Sequence, residues 1–297
     1  EKDIINLGGT IHTEDSLSLV AKGDIVIEST TQQNAGATEN SSYINTIIDR
    51  VAGVFVGENA TGNLIIDAGQ ALKIIGAEIV NASQQALQLI AGDNIEIDSL
   101  ELQQQEHLIS NNNNYNKYDA TTHHGSNIDS QGSLILKAGK DVNLTSAQLN
   151  SSENIEVFAQ NILISAKVDT ATLDQKSVSK TSSRKITENN SFIEQTAASS
   201  QLNGQDIKLN VTGTVTVTSS QLKAANDLTI GEVKMVQQTD GSFKAVNGEG
   251  TPDNLVVNTL ELTNETWHER SVEKRGAVKT LTQVAAVTGG LMLSGFA

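Results

Sequence analysis

Apolar residues along this chain fall into short alternating runs. One is Gly62-Asn-Leu-Ile-Ile-Asp-Ala68-Gly-Gln-Ala-Leu-Lys-Ile74. It reads apolar-x-apolar-x-small, then a short turn, then apolar-x-apolar. A period of two sends successive side chains to opposite faces of a strand. Leu, Ile and Val therefore point inward, and Ser, Thr, Asn, Lys and Glu point outward. The pattern predicts short strands separated by Gly, Asp and Asn turns.

The run recurs. Gly132-Ser-Leu-Ile-Leu-Lys-Ala138-Gly-Lys-Asp-Val-Asn-Leu144 matches it without gaps, and the match continues from Ala77-Glu78-Ile79 to Ala147-Gln148-Leu149. A third copy begins Asp206-Ile-Lys-Leu-Asn-Val211, continues Thr214-Val-Thr-Val217 and ends Ser220-Gln221-Leu222. Each copy has a second half like its first: Leu87-Gln-Leu-Ile-Ala91, Ile155-Glu-Val-Phe-Ala159 and Asn226-Asp-Leu-Thr-Ile230. Leu17-Ser-Leu-Val-Ala21 is an earlier member. The shorter period is about 21 to 23 residues, the size of one solenoid coil. No hairpin signal joins these strands, so each is expected to pair in parallel with its counterpart one coil later, about 4.8 Å away. Parallel crossovers are right-handed. The expected fold is all-β, a right-handed parallel β-helix.

Long polar stretches interrupt the coils at 30–61, 99–131 and 166–200, in phase with the repeat. They are expected to be excursions from one face and the least regular parts of the chain, since they carry few apolar residues to bury. Ile44-Asn-Thr-Ile47 and Phe192-Ile193 suggest that some add strands. After about residue 231 the repeat weakens, and 254–263 reads as a last coil. Residues 1–265 are thus expected to form the repeats. Residues 266–297 are expected to form a cap and the start of a following apolar segment. The apolar end, 284–297, is short for a membrane helix; it reads equally as a membrane-active opening or a truncated core helix.

Composition sharpens this picture. Aromatics make up only 3%, and Pro252 is the single proline, so the interior must be aliphatic and thin. The formal net charge of −15 repels phosphate backbones and anionic bilayers, which argues against nucleic-acid partners. The chain has no cysteine, excluding disulfides and cysteine-based zinc sites and fitting export as an unfolded chain. It opens Glu1-Lys2-Asp3, already in patterned sequence and without an early apolar run, and so reads as part of a longer protein.

The string Gly-x-Leu-x-Leu-x-Ala-Gly-x-Asp-Val-x-Leu-x-x-Ala-x-Leu, at 132–149, resembles the filamentous-haemagglutinin repeat, and His124-Gly125-Ser126-Asn127-Ile128 resembles the entry to one. The resemblance extends over roughly 10–265 and is strongest at 132–165. Such repeats belong to large exoproteins of two-partner secretion in Gram-negative bacteria. Long Ser/Thr/Asn excursions between coil pairs look most like the second repeat region of contact-dependent growth inhibition proteins. The resemblance implies a secreted, cell-surface module that uses a two-partner outer-membrane transporter. It also implies a C-terminal toxin domain in the parent chain, delivered across a target-cell outer membrane or to a surface receptor. The alternative from another class is an adhesin shaft binding host or neighbouring-cell surfaces.

No catalytic, cofactor or metal residue is expected. Asp24, Asp93, Asp141 and Asp227 fall at similar places; a calcium row would need the glycine-rich nonapeptide that is absent here, so local turn bonding is the expected role. Polysaccharide lyases and hydrolases on β-helices need clustered acids with Arg or Lys, whereas before residue 270 only Arg50 and Arg184 occur, both in excursions. His123-His124 lacks a third ligand at a persuasive spacing and reads as a solvated loop pair. The run from Asn111 to Asn114 reads as a flexible loop, with an amide ladder or glycan-contacting patch as the alternative. Trp267, beside Arg270, Lys274 and Arg275, reads as a cap on the last coil, with a membrane-interface anchor as the alternative. The P-loop, GxSxG and HExxH signatures are absent. No enzyme activity is expected.

Overall fold

The computed structural model describes residues 2–246, 252–274 and 281–289. All regular structure in them is β. The first coil comprises β1 (Ile4–Leu7), β2 (Thr10–Thr13) and β3 (Leu17–Ala21). The second starts with β4 (Ile25–Glu28), leaves through a hairpin of β5 (Thr30–Ala37) and β6 (Ser41–Arg50), and returns in β7 (Gly53–Val56) and β8 (Leu64–Ala68). The third is uninterrupted, with β9 (Leu72–Ile75), β10 (Glu78–Asn81) and β11 (Leu87–Ala91). The fourth has β12 (Ile95–Asp98), a hairpin of β13 (Leu100–Asn111) and β14 (Asn114–His124), then β15 (Asn127–Ser130) and β16 (Leu134–Ala138).

The alternation continues. The fifth coil is β17 (Asp141–Thr145), β18 (Gln148–Ser151) and β19 (Ile155–Ala159). The sixth is β20 (Asn161–Ser165), a hairpin of β21 (Lys167–Lys180) and β22 (Arg184–Ala198), β23 (Gln201–Gly204) and β24 (Ile207–Val211). The seventh is β25 (Val215–Thr218), β26 (Gln221–Ala224) and β27 (Leu228–Ile230). Strands β28 (Val233–Gln237) and β29 (Phe243–Ala245) then fold back antiparallel on β27. They are followed by β30 (Leu255–Asn258), β31 (Glu265–Lys274) and β32 (Leu281–Gly289).

Three parallel walls result. The first is β1-β4-β9-β12-β17-β20-β25-β30, the second β2-β7-β10-β15-β18-β23-β26, and the third runs from β3 through β8, β11, β16, β19 and β24 to β27. This is the β-helix that the repeat predicts. Leu64, Leu87, Leu134, Ile155 and Ile207 stack in register along the third wall. All five are fully buried in one aliphatic cluster shared with the other walls. Each such side chain contributes roughly 1.5–3 kcal/mol of burial.

Hairpins leave every second coil at the corner between the first and second walls. In the intervening coils the corner is a tight turn through a left-handed residue: Gly8 (φ 62°), Gly76 (φ 55°), Ser146 (φ 52°) and Ser219 (φ 45°). The spacing has a geometric cause. A two-stranded hairpin is about 9.6 Å wide, and two coils advance by the same amount, because both are built from strands about 4.8 Å apart. One hairpin per two coils therefore fills a fourth sheet without gaps. Its order is β5-β6-β13-β14-β21-β22-β31-β32, antiparallel throughout.

Several expectations change here. The excursions do leave the coil path, but they form long regular strands, up to the 15 residues of β22, rather than irregular segments, and hairpins do occur within them. Their backbone groups pair with each other and with the next hairpin, so a buried face is not required. The stretch expected as a last coil contributes only β30, which pairs with β25. Trp267 lies on β31 in the hairpin sheet and does not cap the coils; its backbone partners are Ser191 and Val287. Residues 281–289 form a strand beside β31, which overturns a helix there, and 290–297 lie outside the described residues.

Candidate functional site

The hairpin sheet concentrates the polar chemistry of the chain. No residue of β21 or β22 is buried, so both faces of the sheet meet solvent along these strands. Polar pairs tie its seams. His107 Nε2 lies 3.0 and 3.1 Å from the two Asp119 oxygens, and Gln105 Nε2 donates to Asp119 Oδ1 at 2.8 Å. Burial pushes the Asp119 carboxyl up, but the His107 and Gln105 bonds outweigh it and hold the group below its ordinary value. Between hairpins, His123 Nδ1 sits 2.8 Å from Asp169 Oδ1, and the His123 backbone N–H donates to the same oxygen.

His123 and His124 are thus not a solvated loop pair. Both lie on β14, and the His123 side chain is only 8% exposed. Strand alternation separates the neighbours, leaving His124 exposed on the opposite face. Asn111 and Asn114 likewise close the β13–β14 hairpin rather than forming a loose loop. Asn111 Oδ1 accepts from Asn113 N at 2.9 Å and Asn114 Nδ2 at 3.3 Å. An amide row does occur in the sheet, at other residues: Asn190 Nδ2 donates to Gln175 Oε1 at 3.0 Å, and His268 Nδ1 meets Asn190 Oδ1. Nothing in the sequence distinguished these amides from the rest of a polar stretch.

One face of this sheet carries a shallow trough of about 400 Å³ that includes Trp267. Cross-strand pairing aligns Lys117, Asp174, Ser191 and Trp267 in one row. Two residues nearer the coils, Asp119, Thr172, Ile193 and Glu265 form a second. Tyr115 donates to Asp174 Oδ1 at 3.2 Å; burial, then the Asp174 charge, raises its phenol above the usual value. Lys117 Nζ lies 5.4 Å from the Tyr115 ring centre.

The turn acids do not form one row. Register places Asp24, Asn94 and Asp141 in a single column, beside Ile25, Ile95 and Val142 of the first wall. Asp93 stands one residue earlier, and Asp227 precedes a strand of the third wall. The two halves of each repeat look alike in sequence, which hid the shift. Nor are the bonds local. Asp24 Oδ1 accepts from Ala71 N at 3.0 Å, Asn94 Oδ1 from Asp141 N at 3.1 Å, and Asp141 Oδ1 from Asn161 Nδ2 at 2.8 Å. Each turn is thus stapled to the following coil. Asp93 and Asp227 instead pair with Lys140 (2.8 Å) and Lys234 (2.5 Å). Hydrogen bonding to the acid, then its charge, raises each lysine above its ordinary value.

Among the described residues, no group of three or more His, Asp or Glu side chains could hold a metal ion. Arg50 and Arg184 sit at hairpin strand ends, at the close of β6 and the start of β22. Neither joins an acid cluster.

Comparison with known proteins gives one match. No curated protein and no solved structure matches the chain. Residues 107–181 match the family model described as a hemagglutinin repeat. That span runs from within β13 to the end of β21, and so takes in the two coils between successive hairpins together with hairpin strands on either side. It contains 132–165, where the sequence resemblance is strongest. The chain therefore carries a filamentous-haemagglutinin-like repeat, the kind of repeat that builds adhesin-like, secreted exoprotein shafts.

Proposed function

We propose that this module is a non-catalytic shaft of a two-partner-secretion exoprotein, serving contact-dependent toxin delivery across a target-cell outer membrane. The observation that carries this reading is the hairpin sheet, in phase with the coils. It gives a long, polar, cysteine-free rod whose strands pair in order along the chain, which suits export of an unfolded polypeptide followed by folding outside the cell. The side chains also support a role without turnover. The acids are distributed along three walls and the hairpin sheet, and several are engaged with the next coil, a lysine or a histidine; among the described residues no group of three or more His, Asp or Glu side chains could hold a metal ion.

A second reading, an adhesin shaft, is favoured by one observation, the exposed Trp267 trough. The two separate in a deletion. Removing residues 64–206 from the exoprotein that carries this module joins Asn63 to Ile207, and Leu64 and Ile207 are equivalent positions of the third wall. Surface display, adhesion to cells and killing of target cells are then measured. Retained display with lost killing supports delivery. Lost adhesion with killing unaffected supports the adhesin. Hydrolysis of a polysaccharide panel by the intact module would overturn both.

A further inference from the structure

The trough on the hairpin sheet has the composition of a ligand site, not of a wet strand surface. Trp267 is 36% exposed in it. An exposed indole presents a flat π-face edged by one polar N–H, which suits ligands with an apolar side and polar rims. Around it stand donors and acceptors in balance. Lys117 and Ser191 can donate, while Asp174 and Glu265 can accept, as can the Thr172 hydroxyl, which itself donates to Asp119 O at 3.4 Å. Asp119 is already held by His107 and Gln105, so it fixes the floor. The rows cross four strands and therefore extend about 14 Å.

We propose that this trough binds a short, neutral oligosaccharide. Hydroxyl groups both donate and accept, so a row of them can satisfy Lys117, Ser191, Asp174 and Glu265 together, while the apolar face of one ring lies on Trp267. An anionic ligand would meet three carboxylates. A cationic one would meet Lys117 and leave the donors without partners. The length fits several linked rings and exceeds one. The face opposite lacks this set: the row beside it carries Tyr43, Glu106 and Tyr118. The inference deepens the surface-module reading and rests on it only for the source of the glycan, a neighbouring or host cell surface.

Trp267 is the single tryptophan of the chain, so its emission reports on the trough directly. The intact chain is titrated with neutral hexose and N-acetylhexosamine oligosaccharides, and in parallel with a sulfated oligosaccharide and a lysine-rich peptide. A saturable emission change is expected with at least one neutral glycan. Calorimetry should then show at least a tenfold loss of affinity in Trp267→Ala and in Asp174→Asn, with Tyr43→Ala on the other face unchanged. The Asp174→Asn variant keeps the test open if Trp267→Ala misfolds. No response to any neutral glycan, a response confined to the sulfated or cationic probe, or undiminished affinity in both variants would overturn the assignment. That failure would leave the display and killing measurements untouched.

Discussion

Ser126 and Ser200 make the same three polar contacts, one hairpin repeat apart. Ser126 Oγ lies 2.6 Å from Asp98 O and 3.1 Å from Ile74 O, and accepts from Ala77 N. Ser200 Oγ lies 2.7 Å from Ser165 O and 3.1 Å from Leu144 O, and accepts from Ala147 N. Both are fully buried, at the point where a hairpin returns to the coil. The tight corner of the coil before and the departing hairpin both leave backbone groups unpaired, and one hydroxyl serves them. Ser126→Ala and Ser200→Ala should each cost about 1–3 kcal/mol, the penalty for unsatisfied buried groups. Ser133→Ala, whose hydroxyl meets Glu153 at an exposed site, should cost almost nothing. Urea unfolding midpoints check this; equal shifts for all three would contradict it.

Alternation along β16 gives a sharper contrast. Leu134 is fully buried, whereas Lys137 on the same strand is exposed. Leu134→Asp should place an unpaired charge in an aliphatic layer, at a cost of several kcal/mol. Lys137→Asp should stay within about 0.5 kcal/mol, as surface substitutions do. Comparable losses on thermal unfolding would refute the inward and outward assignment.

Stacked turns make certain glycines irreplaceable for a reason other than φ. A Cβ on Gly92 would lie 2.2 Å from Gly69 O, and one on Gly139 would lie 2.0 Å from Gly92 O. Both obstacles are backbone, which can move only by separating two coils. Gly92→Ala and Gly139→Ala should therefore destabilise by more than the roughly 1 kcal/mol expected for Gly231→Ala. At Gly231 φ is +61° but nothing lies within 4 Å. Calorimetric unfolding of the three variants decides the order.

Asp119 gives a prediction in pH. Its carboxyl is held below the ordinary value of about 3.9 by His107 and Gln105, against the effect of burial. A depressed folded value means that the stabilisation is present above the unfolded value and is lost as pH falls through the folded one. The carboxyl-carbon titration of Asp119 followed by NMR should have its midpoint below the ordinary value, and His107→Ala should move it upward. A midpoint at or above that of exposed aspartates would contradict the bonding described here.

How much of this was legible in the sequence depends on whether a residue had somewhere dry to go. Leu64, Leu87 and Leu134 announced themselves because alternate positions are buried and a slip of one residue would turn the face outward. The hairpins had no such signature. In β21, Lys167, Thr170 and Gln175 are all half-exposed, so period two leaves no contrast of apolar and polar positions to read. Pairing across 46 residues, such as His123 with Asp169, is invisible until the coils set the phase. The turn acids misled in the opposite way: Asp93 and Asp141 occupy similar words in the text but different columns in space.

The hairpin sheet has a consequence for how such a rod can change length. Inserting or removing one coil, some 21 to 23 residues, would bring two hairpins one strand width closer or push them one strand width apart. Either way the fourth sheet would be left with a collision or a gap. Only steps of two coils and a hairpin, such as the interval from Leu64 to Leu134 or from Leu134 to Ile207, preserve every ladder. Lineages of this rod should therefore gain and lose length in whole units of that size, with in-frame duplications ending at equivalent residues of the third wall.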